Sequence, residues 1–447
     1  MRGRHPGLYK EGIMRNKLLV LSVDSLQTTD LLYLRQKENF KEILEKCALV
    51  ENVREIYPTL TYPIHTTIIT GVHPNKHGIT HNQIPGIDLE NPDWSIMGSD
   101  WNWYSDTVKV PSLMDAANEA GLETASVLWP VMGGQKPKHN MAEIWPNSHE
   151  SIRTTFERAC TKDILDLYYE RYLVPFDWIH RTDMDGYSIP IAVDIIKRFQ
   201  PDFMLIHSIC LDHCRHEYGE EGPKIEECLD RVDTIVGSLM QALKEVGCEQ
   251  NTNVVILGDH GQIRIRGVFN LNIVLASYGL IRVGKDGHVK DYDAYSFSAG
   301  FSTHIILKNP DDEEMKKKVY FILLLVQQQY RDYMGRIFTK EEAEREEGLA
   351  GEMSFVIESA DGIIFDNKVT GTITEEVKVS GNSIYNGMHG HHPSKGRKPP
   401  FLAFGPDIKE GVVIHSGDML DECPTLAALL QVDLPDMEGQ AFPILKK

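Results

Sequence analysis

The sequence predicts an α/β fold with a largely parallel central sheet, helices on both faces of the sheet, and a smaller inserted α+β cap. Two observations indicate this fold. Short, almost continuously apolar runs alternate along the chain with segments of helical periodicity. The composition is also that of a globular protein, with 42% hydrophobic and 25% charged residues among 447. A chain of this length can bury a large core without disulfides or other cross-links.

Five apolar runs are the predicted strands of the central sheet. Because each run is almost continuously apolar, we expect strands that are covered on both faces, as in parallel sheets. In chain order they are Leu18–Val23, Glu123–Trp129, Phe203–Ile209, Val254–Leu257 and Phe401–Phe404.

Three segments predict helices that pack on this sheet. Ser112 followed by Asp115 is a helix-start signal, and Gly121 is the matching stop signal. Apolar residues at helical spacing form a stripe over residues 225–243, before a glycine at 247. A final helix is predicted at Cys423–Leu430.

The segment 262–384 differs from the rest of the chain. Short strand-like runs occur at Thr303–Leu307 and Ser354–Glu358, and a charged helix is predicted at Asp312–Gly335. We therefore predict that this segment is a compact cap inserted into the catalytic core.

The core is predicted to comprise residues 14–261 and 385–447. Within it, residues 134–200 are rich in proline, histidine and aromatic residues and show no strong period. We predict irregular cover with one helix for this part of the chain.

Net charge, the length of the apolar runs and the cysteine spacing indicate which binding partners and which cellular location to expect. With 46 basic and 65 acidic residues, the formal net charge is −19, which disfavours binding to nucleic-acid polymers or anionic membranes. The longest apolar run, Val319–Val326, is much shorter than the roughly 20 residues that span a bilayer. No signal peptide is evident, and seven irregularly spaced cysteines do not resemble a disulfide framework. We predict a reduced, cytoplasmic protein; its oligomeric state is left open.

Potential metal ligands follow three of the predicted strands and one late glycine-rich loop. Sites in doubly wound sheets form beyond the carboxyl ends of the strands, so we expect these side chains to converge. Carboxylates and imidazoles without thiolates suit Zn²⁺, and six of them can fill two sites of three protein ligands each. The six are Asp24, Asp212, His216, Asp259, His260 and His389.

A candidate nucleophile lies close to the amino terminus. Thr61 precedes a helix-like run, His65–Thr70, that ends at Gly71. A hydroxyl at a helix amino terminus lies in positive potential beside free N–H groups, and a nearby metal would favour its deprotonation. Thr61 is therefore predicted to be both a nucleophile and a metal ligand.

The segment YPTLTYPIHTTIITGVHPNKHGITHN, Tyr57–Asn82, resembles the nucleophile segment of nucleotide pyrophosphatase/phosphodiesterases, which belong to the alkaline phosphatase superfamily. The later segments LDHCRHEYG, GDHG and GMHG resemble that family's ligand motifs and occur in the same order. The segment MLDECPTLAALLQVDLP resembles the superfamily's last helix. One departure is Ile64, where the family pattern has an asparagine. The resemblance implies an alkaline-phosphatase-like core.

The resemblance also implies a role for each matching residue. Thr61 would form a covalent phosphothreonine intermediate, Asn82 would bind a phosphoryl oxygen, and Tyr62 would stack on the leaving-group side of the substrate. Two divalent cations, with Zn²⁺ preferred, are implied. The first would be held by Asp24, Asp259 and His260, and the second by Asp212, His216 and His389.

The predicted function is metal-dependent hydrolysis of phosphodiester or pyrophosphate bonds in small, nucleotide-type substrates. A phosphonoacetate-type C–P hydrolase and a phosphomonoesterase are alternatives that use the same two-metal site. A metal-stabilised binding protein without turnover is the alternative from another class. Residues outside the motifs leave the substrate open.

Two further groups of residues have more than one interpretation. Trp101, Trp103, Tyr104 and Trp129 are predicted either to line a pocket for an organic leaving group or to pack as core. Cys210 and Cys214 flank Asp212, and we predict buried structural thiols rather than another metal site.

Overall fold

The computed structural model describes residues 15–86, 100–134, 136–146, 151–181, 183–377 and 386–446. The predicted domain limits at residues 14 and 384–385 lie outside these ranges. In chain order the strands are β1 (Lys17–Val23), β2 (Ala48–Val50), β3 (Val53–Arg54), β4 (Thr124–Val127), β5 (His139–Met141), β6 (Phe203–Ser208), β7 (Thr252–Gly258), β8 (Ile263–Arg264), β9 (Gly267–Phe269), β10 (Ile281–Val283), β11 (Val289–Tyr292), β12 (Ala294–Ser298), β13 (Ser302–Leu307), β14 (Met334–Thr339), β15 (Phe355–Ser359), β16 (Ile363–Phe365), β17 (Thr374–Glu376), β18 (Gly387–Met388), β19 (Phe401–Phe404), β20 (Val413–Ile414) and β21 (Gly417–Asp418).

The α-helices are α1 (Leu31–Leu34), α2 (Glu38–Lys46), α3 (Thr61–Thr70), α4 (Pro74–His77), α5 (Leu113–Glu119), α6 (Ile152–Ala159), α7 (Lys162–Tyr168), α8 (Asp185–Phe199), α9 (Cys210–Tyr218), α10 (Pro223–Glu245), α11 (Leu271–Ser277), α12 (Glu313–Gln329), α13 (Lys340–Glu347) and α14 (Glu422–Leu430).

The central sheet has eight strands in the order β20-β2-β19-β7-β1-β6-β4-β5. Strand β1 runs parallel to both neighbours, β6 and β7, while β19 pairs antiparallel with β7 and β2. Side chains of β1 alternate between two hydrophobic cores: Leu19 and Leu21 enter one, and Leu18 and Val20 enter the other. The prediction of a largely parallel sheet that is covered on both faces is confirmed.

The predicted helix signals near residue 112 are confirmed in detail. The Ser112 side chain accepts a hydrogen bond from the Asp115 N–H, and Asp115 accepts one from the Ser112 N–H, which forms a capping box at the start of α5. Helices α10 and α14 form over the predicted stripe and the predicted final helix.

Two helix predictions were wrong in extent. Residues 134–200 contain α6, α7, a π-helical turn at Tyr169–Leu173 and α8, rather than irregular cover with one helix. The short helices and Pro190 inside α8 hide the helical period. The charged helix α12 ends at Gln329, and Met334 already pairs with Ser359 as the start of β14. Pairing across a sheet replaces the last predicted helical turns.

A second, antiparallel sheet of four strands, β12-β13-β15-β14, lies within the predicted insertion. It has a separate hydrophobic core, which includes Phe297, Ile305, Val319 and Val356. The apolar run Val319–Val326 lies on α12 and contributes to this core, although Phe321 is exposed. The exact division between core and cap at residue 262 stays a prediction.

Within the part of the chain that the structure describes, no helix combines the length and apolar character needed to cross a bilayer.

One cysteine prediction was wrong. Cys214 on α9 forms a disulfide with Cys228 on α10, whereas Cys210 is a buried free thiol as predicted. The two partners lie on consecutive helices that pack together, so a pairing across 14 residues leaves no signature in the cysteine spacing. The disulfide joins the helix that carries Asp212 and His216 to its neighbour.

Candidate active site

The carboxyl ends of three adjacent strands meet at the candidate active site. Asp24 follows β1, Asp212 lies in the first turn of α9 after β6, and Asp259 follows β7. Strands β6 and β7 flank β1, so all three carboxylates emerge at one edge of the sheet. All three are buried.

One cluster of potential ligands combines Asp212, His216 and His389. His216 lies one helical turn after Asp212, and its Nε2 is 3.2 Å from Asp212 Oδ2. His389 Nε2 is 4.0 Å from Asp212 Oδ1. These three residues are the set predicted for the second metal.

A second cluster combines Asp24, Asp212 and His260. His260 Nε2 is 3.4 Å from Asp24 Oδ1 and 3.2 Å from Asp259 Oδ2. The structure therefore brings all six predicted ligands together. It also places Asp212 between the two clusters, where its oxygens face both.

The donor atoms fit bound cations. Among the described residues, Asp24 Oδ1 and Asp259 Oδ2 are buried and have no hydrogen-bond partner. Buried carboxylate oxygens are normally paired, because an unpaired one has lost its hydration without replacement. A divalent cation bound by oxygen and imidazole ligands would satisfy these atoms.

Electrostatics lead to the same conclusion. Burial, together with the charges of Asp212 and Asp259, raises the pKa of Asp24 well above its usual value. Burial is also the main cause that raises the pKa of Asp259 to about 7. Burial lowers the pKa of His389 to about 4, which keeps this imidazole neutral and able to bind a metal. Three carboxylates this close repel one another unless positive charge lies between them.

Thr61 is the first residue of α3, and its side chain is buried at the edge of the cluster. Its Oγ1 is 3.2 Å from His260 Nε2. The helix was predicted to run from His65 to Thr70, but it already begins at Thr61. Gly71 ends the helix as predicted, and its backbone is left-handed. The hydroxyl therefore lies at the positive end of a helix and beside the potential ligands.

Asn82 lies next to the amino terminus of α3. Its Oδ1 accepts a hydrogen bond from the Tyr62 N–H at 2.9 Å. This contact orients the amide with its oxygen toward the helix, so the Nδ2 group remains as a donor for an anion. The predicted role of Asn82 in binding a phosphoryl oxygen agrees with this orientation and stays a prediction.

Tyr62 is fully buried. Its ring centroid is 5.2 Å from that of Trp101, and its hydroxyl donates to Glu143 Oε1 at 2.9 Å. Trp101 and Trp103 both pack against Trp145. The predicted stacking of Tyr62 on a leaving group stays a prediction, and partly exposed Trp101 lies against its ring.

The two remaining aromatic candidates, Trp129 and Tyr104, pack against the hydrophobic cores. Trp129 is fully buried against His65 and belongs to the core. Tyr104 is half-buried and packs on one of the two main cores of the central sheet.

Backbone contacts hold two of the imidazoles in place. His389 Nδ1 donates to Thr59 O, and His216 Nδ1 donates to Gly387 O, each at 2.8 Å. Both rings therefore direct Nε2 toward Asp212. Such contacts fix the tautomer and orientation of a metal-binding histidine. Gly390 has a left-handed φ of 85°, and a Cβ there would collide with the Ala299 carbonyl.

Sequence reasoning missed three buried residues at this site. The Gln262 amide donates to Asp212 Oδ1. His207 lies between two carboxylates, with Nε2 3.3 Å from Asp24 Oδ2 and Nδ1 2.8 Å from Glu143 Oε2. Burial alone would lower the pKa of His207, but the interactions with Asp24 and Glu143 raise it well above its usual value. None of the three belongs to a motif, and His207 lies inside an apolar strand.

Comparison with known proteins gives a consistent result. Residues 18–357 match the model of a protein family described as type I phosphodiesterase/nucleotide pyrophosphatase. Human ectonucleotide pyrophosphatase/phosphodiesterase family member 1 is 27% identical over 222 residues, which are 49% of this chain and 20% of that protein. The Pongo abelii bis(5'-adenosyl)-triphosphatase ENPP4 is 24% identical over 249 residues, which are 55% of this chain and 47% of that protein. The matched segments thus span half or less of these two relatives.

Solved structures share the fold. Murine ectonucleotide pyrophosphatase/phosphodiesterase 5 superposes with a TM-score of 0.67 at 18% identity, covering 96% of this chain and 100% of the other. An inactive form of the same murine protein, in complex with AMP, gives a TM-score of 0.66 at 18% identity and covers 95% and 98%.

Proposed function

Because the chain belongs to the type I phosphodiesterase/nucleotide pyrophosphatase family, we propose that it hydrolyses phosphodiester or pyrophosphate bonds in small, nucleotide-type substrates. One observation carries this proposal. The Thr61 hydroxyl lies at the amino terminus of a helix, 3.2 Å from His260, at the edge of six converging potential ligands. A nucleophile in this position faces both positive helix potential and a cation-binding cluster.

We further propose two divalent cations, with Zn²⁺ preferred for its affinity for carboxylate and imidazole ligands. Asp24, Asp259 and His260 would hold one, and Asp212, His216 and His389 the other. When bound, such ions stabilise an alkoxide and neutralise charge on a transferring phosphoryl group. The unpaired Asp24 and Asp259 oxygens support this assignment.

The protein groups suit a two-step displacement. Thr61 Oγ1 forms a bond to phosphorus as the bond from phosphorus to the leaving group breaks on the opposite side, which gives a phosphothreonine. The Asn82 Nδ2 group donates to a phosphoryl oxygen as charge develops, and the Thr61 N–H is a second donor, because the Tyr62 N–H already donates to Asn82 and residue 63 is a proline. Water then displaces Oγ1 from phosphorus. Each displacement inverts phosphorus, so the net outcome is retention.

The proposed substrate class rests on the relatives. Relatives are named as pyrophosphatases, phosphodiesterases and a bis(5'-adenosyl)-triphosphatase, and one neighbouring structure contains AMP. We therefore expect a nucleoside or another aromatic group on one side of the scissile bond. Trp101, which is partly exposed beside Tyr62, offers a surface of the right chemistry.

The first experiment compares bis(p-nitrophenyl) phosphate with p-nitrophenyl phosphate on zinc-loaded protein. A kcat/KM ratio of about tenfold or more in favour of the diester, which is about 1.4 kcal/mol, would support the proposal. A preference for the monoester would replace it with a phosphomonoesterase. Activity on neither, with turnover of phosphonoacetate, would identify a C–P hydrolase.

The nucleophile is tested separately. We expect Thr61→Ala to abolish turnover without loss of metal binding. Thr70→Ala is a matched control, because Thr70 lies in the last turn of the same helix and its hydroxyl donates to the backbone oxygen of Thr66. Loss of activity in both variants would point to a folding defect. Net inversion at a chiral phosphorus substrate would contradict the covalent intermediate.

A further inference from the structure

A chain of buried polar contacts connects the metal-ligand cluster to the aromatic side of the site. Asp24 Oδ2 lies 3.3 Å from His207 Nε2, and His207 Nδ1 lies 2.8 Å from Glu143 Oε2. The other Glu143 oxygen, Oε1, accepts the Tyr62 hydroxyl at 2.9 Å. At most 4% of the surface of any of these four residues is exposed.

The four side chains come from separate parts of the fold. Asp24 follows β1, His207 lies in β6, Tyr62 in α3, and Glu143 just after β5. His207 pairs with Ser22 across the β1–β6 ladder, so the sheet fixes its position relative to Asp24. Glu143 has no such support from the ladder, and its two oxygens instead contact the two side chains that it connects.

Packing alone does not account for a carboxylate at this position. Burying a charged group costs free energy unless each of its atoms is paired. Glu143 is paired at both oxygens, and both partners lead to residues of the proposed active site. Oxygen acceptors face both nitrogens of the His207 ring: Glu143 Oε2 and Leu128 O lie at Nδ1, and Asp24 Oδ2 lies at Nε2. The ring is therefore placed as a donor on both sides, and its orientation is fixed.

We propose that Glu143 and His207 are positioning residues. His207 holds the Asp24 carboxylate in the orientation that binds a cation, and Glu143 fixes His207 on one side and the Tyr62 hydroxyl on the other. One carboxylate thereby sets the geometry of both a metal ligand and the aromatic residue next to the nucleophile. The inference rests on the proposed function in taking Asp24 as a metal ligand.

The contact of Glu143 with His207 and its contact with Tyr62 predict different effects of substitution. Outer contacts of metal ligands typically contribute 10- to 100-fold to metal affinity. We therefore expect His207→Gln and Glu143→Gln to raise the dissociation constant for zinc by about tenfold or more. Tyr62→Phe removes only the hydroxyl, so zinc affinity should stay unchanged while KM for an aromatic diester rises.

A second buried tyrosine–glutamate pair provides a matched control. The Tyr57 hydroxyl donates to Glu358 at 3.1 Å, and both residues are buried. Among the described residues, neither forms a hydrogen bond or an ion pair with one of the six predicted ligands. Tyr57→Phe and Glu358→Gln therefore make the same chemical changes at a similar burial. We expect both control variants to bind zinc as tightly as the wild type.

Zinc affinity is measured without substrate, by competition with a chromophoric chelator, after circular dichroism has verified folding of each variant. The proposal is overturned if both His207→Gln and Glu143→Gln fold and bind zinc like the wild type, or if Glu358→Gln weakens zinc binding as much as Glu143→Gln does. If either His207→Gln or Glu143→Gln fails to fold, the zinc affinity of the other variant decides whether the proposal holds.

Kinetics test the Tyr62 arm. In a double-mutant cycle, Tyr62→Phe should raise KM by a smaller factor in the Glu143→Gln background than in the wild type. The reason is that Glu143→Gln already weakens the contact that Tyr62→Phe removes. Independent effects would contradict the shared role of Glu143. A wild-type protein that binds zinc but hydrolyses no phosphate ester would refute the proposed function, while the affinity measurements would still test the positioning of Asp24.

Discussion

At the scale of single residues, the candidate site brings together buried carboxylates whose mutual repulsion destabilises the metal-free protein. Asp24, Asp212 and Asp259 are buried within a few ångströms of shared imidazoles, and the pKa of Asp259 is raised to about 7 by burial and by neighbouring charge. Ordinary buried carboxylates are paired with donors or cations. Bound cations would relieve the repulsion between these carboxylates.

This arrangement predicts opposite effects of one substitution with and without metal. At pH 8 Asp259 must ionise in the folded state despite its raised pKa, which opposes folding. Since one pKa unit is about 1.4 kcal/mol, Asp259→Asn should stabilise the chelator-treated protein by about 1–3 kcal/mol. The same variant should lose most of the rise in Tm that zinc gives the wild type, because one ligand is missing.

The measurement is thermal unfolding with and without zinc. Asp233→Asn is the control, because Asp233 is also buried but both of its oxygens accept N–H groups of Asn39 and Phe40, whereas Asp259 Oδ2 has no hydrogen-bond partner among the described residues. That variant should lower Tm in both conditions. A Tm for chelator-treated Asp259→Asn below that of the wild type would show that repulsion between the carboxylates is not significant.

The stability of the protein should depend on pH through His77, a buried residue outside the candidate site. Burial, with a smaller contribution from the charge of His73, lowers the pKa of His77 to about 3. The unfolded chain binds a proton at this residue below about pH 6.5, whereas the folded chain does not until about pH 3. Stability therefore falls as the pH drops from about 6.5, by about 2 kcal/mol at pH 5.

His77→Gln removes this titration. The variant should be less stable than the wild type at pH 7.5, because the contacts of His77 with Thr67 and Ile79 change. By pH 5 the difference in the free energy of unfolding should shrink by about 2 kcal/mol. Urea denaturation at both pH values measures it, and a constant difference would mean that His77 is protonated in the folded protein.

Residues of the site divide into those that the sequence could predict and those that it could not. Thr61 and the six ligands stand at ends of predicted strands or in recognisable motifs, and the structure brings them together. Glu143 follows a three-residue strand without an apolar signal, and His207 reads as part of an apolar run. The contact between Glu143 and His207 joins residues that are 64 positions apart, and local sequence patterns do not predict such a contact.

At the scale of elements, α9 is the part of the site with a covalent restraint. It begins after β6, carries Asp212 and His216, and is linked to α10 through Cys214 and Cys228. Strands and long helices were predicted from their periodicity, but this cross-link depends on how two helices pack. Short helices such as α6 and α7 were missed for a related reason: tertiary contacts, rather than local propensity, stabilise them.

Removal of the cross-link should destabilise the protein. A disulfide that closes a loop of this length contributes up to about 3 kcal/mol by restricting the unfolded chain, so Cys228→Ser should lower the free energy of unfolding by about 2–3 kcal/mol. Cys248→Ser, at a buried cysteine without a disulfide, is the control. Dithiothreitol should reproduce the loss in the wild type and add nothing in the variant; a further loss there would imply another reducible bond.

At the scale of the whole molecule, the second sheet is connected to the site through the loop that carries His389. Ser302 Oγ donates to Gly390 O at 2.6 Å, and the Ala299 carbonyl lies where a side chain at Gly390 would be. Five of the six candidate ligands lie in segments that directly follow strands of the central sheet. The sixth, His389, lies in a loop that the predicted cap contacts. The change in sequence character after residue 261 indicated an insertion, but not that the hairpin formed by β12 and β13 contacts this loop.

The redox state of Cys214 and Cys228 tests the predicted cytoplasmic location of the protein. The sequence predicted a cytoplasmic protein from its irregular cysteines, but the structure contains a Cys214–Cys228 bond. Disulfides persist mainly in oxidising compartments, whereas cytosolic reductants keep most thiols reduced. If the protein is cytoplasmic, both cysteines should therefore be found reduced in its native cells. Rapid acid quenching, alkylation of free thiols and peptide mass spectrometry measure their state. Alkylated Cys214 and Cys228 would support the cytoplasmic prediction, while a protected pair, with Cys210 alkylated in the same denatured sample, would place the protein in an oxidising compartment.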